Sequence, residues 1–197
     1  MTEILDTVDT VFRLDIALIH YPVVNKNQEL IGSAVTNLDL HDIARAGKTF
    51  GVGTYWVVTP YEQQQELAAN IAGHWTEGYG GTVNPDRAEA LSIIQIRANL
   101  EQVIAEMSEQ GGRVPLVIAT SAGQLCKRIS YETLRCTIQE GRSVLLLLGT
   151  AWGLAPEITE LADATLPPIK GVGAYNHLSV RSAASICLDR LCGDREI

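Results

Sequence analysis

The sequence predicts one α/β domain in which a parallel β-sheet is flanked by helices. Short apolar runs bounded by turn residues alternate with helical patterns through most of the 197 residues. Alternation of this kind is typical of a parallel sheet with right-handed crossovers. The run SVLLLLG from Ser143 is apolar after its first residue, as expected of a strand covered on both faces. Gly111, Gly112 and Gly141 stand just past predicted helices, where glycine commonly ends a helix.

Strands and helices are predicted as follows along the chain. The strands cover residues 15–20, 55–59, 114–119 and 143–149. The helices cover residues 39–50, 61–72, 99–109, 130–140 and, at the C-terminal end, 180–191. In the last helix the apolar residues recur every three or four positions, and Ser179, Ser182 and Ser185 make the remaining surface small. Residues 73–87 form the one long segment without a predicted element, and loops of that length are usually functional or disordered.

The chain is predicted to be a single domain over residues 1–197, with a flexible acidic N-terminus at 1–12. The start of the chain lacks both a basic segment and an apolar core, so no signal peptide is predicted. No apolar run approaches the roughly 18–20 residues of a membrane span, and we expect a cytoplasmic protein. The cysteines lack C-x-x-C spacing, which favours reduced, buried thiols over zinc or disulfides. They are Cys126, Cys136, Cys187 and Cys192.

The charge of the chain is unevenly distributed. Its 15 basic and 23 acidic residues give a net charge of -8, which argues against binding nucleic acid by bulk positive charge. The acidic excess lies in residues 1–10 and 61–113, and the rest of the chain is balanced. The charge therefore remains compatible with an RNA substrate that is bound with modest, salt-sensitive affinity.

Three glycine-bearing loops follow predicted strands, at 119–123, 148–157 and 166–179. In open α/β sheets ligands bind at the carboxyl ends of the strands, although each loop alone could be an ordinary turn. Neither a Walker sequence nor a strand-linked G-x-G-x-x-G is present, which disfavours a nucleotide phosphate site. The loops instead offer backbone amides and apolar surface, which suit an adenine ring and an uncharged thioether or sulfonium chain.

Two C-terminal stretches carry a family resemblance. Residues 145–158, LLLLGTAWGLAPEI, present a strand ending in glycine and then Gly-Leu. Residues 166–188, LPPIKGVGAYNHLSVRSAASICL, run from Leu-Pro-Pro through glycine to a helix that starts at serine. They resemble the second and third motifs of the SPOUT methyltransferases, in the branch that methylates ribose 2′-hydroxyls. Residues 37–52, NLDLHDIARAGKTFGV, are similar to the first motif, with Arg45 matching its arginine and Asp39 in the place of its asparagine.

The resemblance implies a parallel sheet flanked by helices with a C-terminal deep trefoil knot, the SPOUT fold, and places the knot and cofactor loops at about residues 114–192. It also implies S-adenosylmethionine as cofactor, no metal, a homodimer, and methylation of RNA, in particular tRNA, at a ribose 2′-oxygen. Two alternatives stay open. One is methylation of a base nitrogen, such as guanine N1, in tRNA or rRNA. The other is a non-catalytic cofactor-binding partner module of another RNA-modifying enzyme.

The candidate catalytic residues are Arg45, His177 and Ser179. A guanidinium anchors phosphate well, whereas its ordinary pKa above about 12 makes it a poor base. We therefore assign Arg45 to phosphate binding first, and to proton removal only if it is strongly perturbed. His177 stands where the third motif has asparagine, with Asn176 adjacent, and either could orient substrate or cofactor.

The candidate cofactor-binding residues lie in the three loops. They are Thr120, Ser121, Ala122, Leu148, Gly149, Thr150, Trp152, Gly153, Leu166, Ile169, Tyr175, Asn176 and Leu178. The candidate RNA-binding residues are His41, Lys48, His74, Arg87, Lys127, Arg128 and Arg181. His41, Arg45 and Lys48 are spaced to form one basic stripe on a helix, opposite its apolar face. The aromatic and basic residues of 73–87 could contact unpaired bases, or the loop could fold on its own aromatics.

Overall fold

The fold is a six-stranded parallel sheet with helices on both faces. A computed structural model describes residues 13–120, 127–173 and 175–194. The strands are β1 (Leu14–Ile19), β2 (Val23–Val24), β3 (Leu30–Ile31), β4 (Tyr55–Val58), β5 (Ile94–Arg97), β6 (Leu116–Thr120), β7 (Val144–Gly149) and β8 (Ala164–Leu166). The sheet order is β5-β4-β1-β7-β6-β8, and β2 and β3 form a separate antiparallel hairpin. All strands of the main sheet are parallel, so their carboxyl ends meet at one edge.

The helices divide between the two faces of the sheet. They are α1 (Asn37–Thr49), α2 (Glu62–Thr76), α3 (Tyr79–Val83), α4 (Pro85–Leu91), α5 (Leu100–Gly111), α6 (Tyr131–Gln139), α7 (Pro156–Leu161) and α8 (Val180–Cys192). Apolar residues of α1, α2, α4, α6 and α8 share one core with the sheet. Those of α5, α7 and the β2–β3 hairpin share the other. With both faces covered, β1 and β7 are almost wholly buried, which explains their unbroken apolar sequences.

The predicted strands and helices are all present, with ends shifted by a few residues. The sequence missed β5 and β8, which have four and three residues, and the two-residue strands of the hairpin. It was wrong about residues 73–87, which complete α2 and form α3 and α4. Asn84 and Pro85 explain the start of α4: the Asn84 side chain accepts the backbone N–H of Arg87 at 3.0 Å, and proline occupies the first turn.

The cysteine prediction was correct in part. Cys187 is buried, Cys192 is half-buried and Cys136 is exposed, because it lies on the solvent side of α6; all three are free thiols. Burial raises the pKa of the Cys192 thiol to about 11. Cys126 and the predicted N-terminus at 1–12 lie outside the described residues. Over the described ranges, no helix is long and apolar enough to cross a membrane.

Candidate active site and RNA interface

The loops that follow β7 and β8 meet at the carboxyl edge of the sheet. Trp152 of the first loop lies edge-on to His177 of the second, with ring centroids 5.5 Å apart. Tyr175 lies on the other side of this contact, 5.9 Å from His177. The three rings are exposed, and Trp152 keeps 58% of its surface accessible. The sequence assigned Trp152 to one loop and Tyr175 and His177 to another, and the fold brings these two loops into contact.

The loop after β7 folds tightly back on itself. A side chain at Gly149 would approach the backbone nitrogen of Leu154 to 2.6 Å, so this position requires glycine. Ala151 and Gly153 have positive φ values of 52° and 122°, which form a tight turn. The N–H groups of Trp152 and Gly153 donate to the carbonyls of Val24 and Thr150, at 3.0 and 2.9 Å, and fix this turn against the β2–β3 hairpin. Leu148 and Leu166 lie buried beneath the loops as an apolar floor. An apolar floor with exposed rings at the rim fits an adenine ring better than a phosphate.

A buried chain of polar groups ties this loop to β1. The Thr150 hydroxyl donates to the Ile19 carbonyl at 3.0 Å and lies 2.5 Å from the Ser33 hydroxyl. Ser33 lies 2.9 Å from Nδ1 of His20. Because the Thr150 hydrogen is already committed, Ser33 donates to Thr150 and the Nδ1–H of His20 donates to Ser33. Burial lowers the pKa of His20 to about 4, so the ring is neutral at physiological pH.

This network limits the predicted role of Thr150. Its hydroxyl is used inside the protein, so Thr150 can offer a cofactor its backbone rather than its side chain. Thr120 is similar, because its hydroxyl donates to the Leu147 carbonyl at 2.8 Å. Ser121 and Ala122 lie outside the described residues. Ile169 packs against the core, whereas Asn176 and Leu178 are exposed on the loop before α8.

Helices α1 and α8 are joined by ion pairs. Arg181 donates to Asp39 at 3.1 Å, and its Nε lies 3.4 Å from Asp42. The Asp39 carboxylate also accepts the hydroxyl of Thr36, which caps the start of α1. Two carboxylates of its own chain pair with the guanidinium of Arg181, and its predicted contact with RNA stays a prediction. Asp39 is the residue that departs from the family motif, and this departure was the signal for its structural role.

The three residues of the predicted basic stripe on α1 lie in different environments. Lys48 pairs with Glu89 of α4 at 3.1 Å, and both side chains are exposed. His41 is half-buried beside Trp75, with ring centroids 5.5 Å apart. Burial lowers the pKa of His41, and the nearby Arg87 lowers it further, which favours the neutral ring. Arg45 is therefore the one member of the stripe that is both exposed and, among the described residues, without an ion pair.

Two open clefts meet at Arg45. The larger, of about 670 Å³, lies between α1, α2 and α4. The smaller, of about 360 Å³, lies between α1 and α8 and includes Arg181, Ser182 and Ser185. Asp42 lines both clefts beside Arg45 and is a carboxylate that the sequence analysis did not select. His74 and Arg87 line the larger cleft, so the fold joins these predicted RNA-binding residues to the arginine of the first motif.

The remaining predicted residues lie apart from the clefts or serve the fold. Ser179 caps α8, where its hydroxyl accepts the backbone N–H of Ser182 at 3.3 Å. Lys127 and Arg128 are exposed on the segment that precedes α6 and pairs with β8. No cluster of three or more His, Cys, Asp or Glu residues that could hold a metal occurs within the described ranges.

The sequence is similar to that of known RNA methyltransferases. The family model described as SAM-dependent RNA methyltransferase matches residues 13–193. A protein of Oleidesulfovibrio alaskensis named tRNA (guanine-N(1)-)-methyltransferase is 46% identical over 178 residues, which cover 90% of this chain and 41% of that protein. An Aquifex aeolicus protein named only as uncharacterized is 36% identical over 177 residues, which cover 89% of this chain and 86% of the other.

The fold is shared with a solved structure. The SpoU methyltransferase AviRb from Streptomyces viridochromogenes, in complex with the cofactor AdoMet, superposes with a TM-score of 0.56 at 15% identity, covering 92% of this chain and 57% of that one. This likeness confirms the SPOUT fold class that the C-terminal motifs predicted, while the knot stays a prediction. The chain spans less than half the length of the Oleidesulfovibrio relative that it matches.

Proposed function

We propose, since this chain belongs to the family of SAM-dependent RNA methyltransferases, that it transfers a methyl group from S-adenosylmethionine to a guanine base of tRNA. The position of Arg45 carries this proposal. Its exposed guanidinium has no ion pair among the described residues and lines both the cleft beside α8 and the larger cleft beyond it. An unpaired guanidinium of this kind suits the phosphate of a nucleic acid.

The cofactor would be held by the two loops at the carboxyl edge. The backbone of 149–153 would contact its polar groups, and Leu148, Leu166 and Ile169 would underlie its adenine. Trp152, Tyr175 and His177 would close the rim through their ring contacts. When bound, S-adenosylmethionine supplies an electrophilic methyl group on a sulfonium. The apolar floor and the exposed rings suit the adenine ring of this ligand, which supports the assignment of the loops.

Guanine N1 is the acceptor favoured here. The name of the Oleidesulfovibrio relative specifies guanine N1 of tRNA. It agrees with the alternative of base methylation rather than with the ribose methylation that the sequence motifs suggested. Guanine N1 carries a proton that must leave, and a carboxylate is a suitable acceptor for it. Asp42 lies beside Arg45 in both clefts and, with a side chain that is 47% exposed, can reach a ligand there. Arg45 would anchor the phosphate, and Asp42 would accept the proton.

A ribose 2′-hydroxyl is the second candidate. The helix that holds Arg45 is similar to the first motif of the branch that methylates ribose, and this is the observation that favours it. In that case Arg45 would orient the ribose phosphate, and exposed His177 would be the group to accept the proton. The two candidates share one site and differ in the atom that receives the methyl group.

The proposal extends to assembly and compartment. Small side chains, Ser182 and Ser185, line the α8 side of the smaller cleft and would let a second copy approach closely, as expected of a homodimer. Exposed Lys127 and Arg128 would add phosphate contacts at the rim of such an assembly. A tRNA substrate places the proposed activity in the cytoplasm. Sedimentation of the purified chain would test the homodimer.

The decisive experiment is product identification with this chain alone, because the named relative is more than twice as long. An unmodified tRNA transcript would be incubated with labelled S-adenosylmethionine, digested to nucleosides and analysed by mass spectrometry. We expect labelled 1-methylguanosine. A labelled 2′-O-methylnucleoside would establish the second candidate. Cofactor binding by calorimetry without transfer to any cellular RNA would overturn both and favour the non-catalytic partner module.

A further inference from the structure

The segment that sequence analysis left without structure builds one wall of the larger cleft. α3 and α4 follow α2 closely, and Arg87 of α4 faces His41 and Arg45 of α1 across the opening. His74 and Trp75, at the end of α2, line the same opening. The cleft therefore combines two guanidiniums, two imidazoles, an indole and the carboxylate of Asp42, from three separate helices. The cofactor loops contribute none of its lining.

Arg87 is held in place from two directions. Its guanidinium carbon lies 4.7 Å from the centroid of the Trp75 ring, a distance at which a cation is attracted by the face of an indole. Its backbone N–H is fixed by the Asn84 cap at 3.0 Å. Its Nε is enclosed and has no hydrogen-bond partner. Because Nε is enclosed, a ligand would meet the terminal nitrogens of this positioned guanidinium, which is only half-buried.

The platform beneath Arg87 is itself fixed. A side chain at Gly80 would lie 2.8 Å from Cε3 of Trp75 and 2.9 Å from the His74 ring, so α3 can pack on these rings only with glycine there. His41 and His74 approach Trp75 edge-on, with centroids 5.5 and 5.1 Å away. Nδ1 of His41 is enclosed without a partner, as Nε of Arg87 is. Two residues that line the cleft therefore each carry an enclosed polar atom without a hydrogen-bond partner.

The electrostatics of the cleft favour an anion. After burial, the charge of Arg87 is the main cause that lowers the pKa of His41, and Arg45 lowers it as well. Asp42 acts in the opposite direction, but its carboxylate is already near Arg181 at 3.4 Å. Among the described residues, neither Arg45 nor Arg87 has an ion pair. Two like charges facing one cleft repel each other, and a bound anion would relieve that repulsion.

We infer that this cleft binds a phosphodiester of the RNA strand next to the nucleotide that is methylated, with Arg87 as its main ligand and Trp75 as the platform that orients Arg87. The inference rests on the proposed function, because it takes RNA to be the substrate. A planar guanidinium can donate two parallel hydrogen bonds to phosphate oxygens. Because Arg45 borders both clefts, a strand that passes Arg45 continues directly into this one.

The test is direct binding of tRNA, measured without cofactor. Fluorescence anisotropy of a labelled unmodified tRNA would be followed for the wild-type chain and for Arg87→Gln, from about 50 to 200 mM salt. We expect Arg87→Gln to bind about tenfold more weakly and to lower the slope of log affinity against log salt by about one. Arg113→Gln is the matched control, since Arg113 is exposed on the segment before β6 and lines neither cleft. Its affinity should equal that of the wild type.

A second variant separates binding from folding. Arg87→Lys keeps a cation above Trp75 but loses the paired donors, so we expect intermediate affinity with an unchanged thermal unfolding midpoint. Wild-type affinity and salt slope in Arg87→Gln would overturn the inference. A wild-type chain that binds tRNA through Arg87 but transfers no methyl group would overturn the proposed function and leave this site intact. In an active enzyme, Arg87→Gln should raise KM for tRNA and leave kcat and cofactor affinity unchanged.

Discussion

Two pairs of cations lie on or against α1, and they have opposite environments. Lys48 and Arg181 are paired with carboxylates of their own chain, at 3.1 Å from Glu89 and 3.1 Å from Asp39. Arg45 and Arg87 have no carboxylate within ion-pairing distance in the described part of the chain. The sequence offered all four as cations near phosphate, whereas packing separates those that join helices from those that face open clefts.

The difference also explains why net charge is a poor guide to this surface. A chain with a net charge of -8 can still expose two unpaired guanidiniums in adjacent clefts. Screening at physiological salt limits the reach of charges to about 8 Å, so the nearest groups decide what a phosphate meets. We expect each paired cation to matter mainly for stability and each unpaired one mainly for RNA. Three measurements test this difference: methyl transfer, the free energy of unfolding and the pKa of His41.

The largest effect is expected for Arg45→Ala. Removing an unpaired guanidinium from the proposed reaction site should lower methyl transfer about 100-fold, because the phosphate would lose its anchor during the reaction. Cofactor affinity by calorimetry should stay at the wild-type value, since Arg45 lies outside the cofactor loops. Lys48→Ala provides the comparison and should retain most of the activity. Transfer by Arg45→Ala at the wild-type rate would refute the role given to Arg45.

A smaller effect, on stability, is expected for Asp39→Ala. The Asp39 side chain is 11% exposed and binds both Arg181 and the Thr36 hydroxyl, so its loss leaves two partners unsatisfied. We expect the free energy of unfolding to fall by about 2 kcal/mol. Urea denaturation followed by circular dichroism would measure it. Asp39→Asn keeps one of the two acceptor oxygens and should lose less. Equal losses would show that the charge of the carboxylate contributes the stability, because the remaining neutral acceptor would then add nothing.

The smallest effect is expected on the pKa of the His41 ring. Arg87 and Arg45 both lower the pKa of this ring, so replacing either by glutamine should raise it. Lys48→Gln should leave the pKa unchanged, because Lys48 is paired with Glu89 and is not among the charges that act on His41. NMR titration of the His41 ring protons in the three variants measures the difference. An equal change in all three would mean that pairing with Glu89 does not screen Lys48.

The fold was largely predictable from the sequence because it depends on long patterns. A covered strand such as 144–148 is apolar without interruption, and an amphipathic helix such as α8 repeats its apolar residues over three turns. The sequence analysis missed β5 and β8 because both strands are short and contain polar residues. In β5 these are Gln95 and Arg97. Such strands form because neighbours offer a free edge, and that information is absent from local sequence.

The sequence predicted which loops form the candidate site better than it predicted which charged residues are paired. Motif resemblance found Trp152 and His177, which the fold does place in contact. It could not reveal the partners of Lys48 and Arg181, since those carboxylates are decided by how α1 meets α4 and α8. The helix pair α3 and α4 was hidden by two glycines and a proline, residues that usually mark loops.

The hydrogen bonds among Thr150, Ser33 and His20 connect two functional regions of the protein. Thr150 turns with the β7 loop, and Ser33 lies three residues before Thr36, the cap of α1. His20 secures Ser33 from the end of β1, at 2.9 Å. The loop after β7 and the segment that leads into α1 are thus hydrogen-bonded to the same strand end. If this loop holds the cofactor, as proposed, a displacement of one element would be transmitted to the other through these bonds.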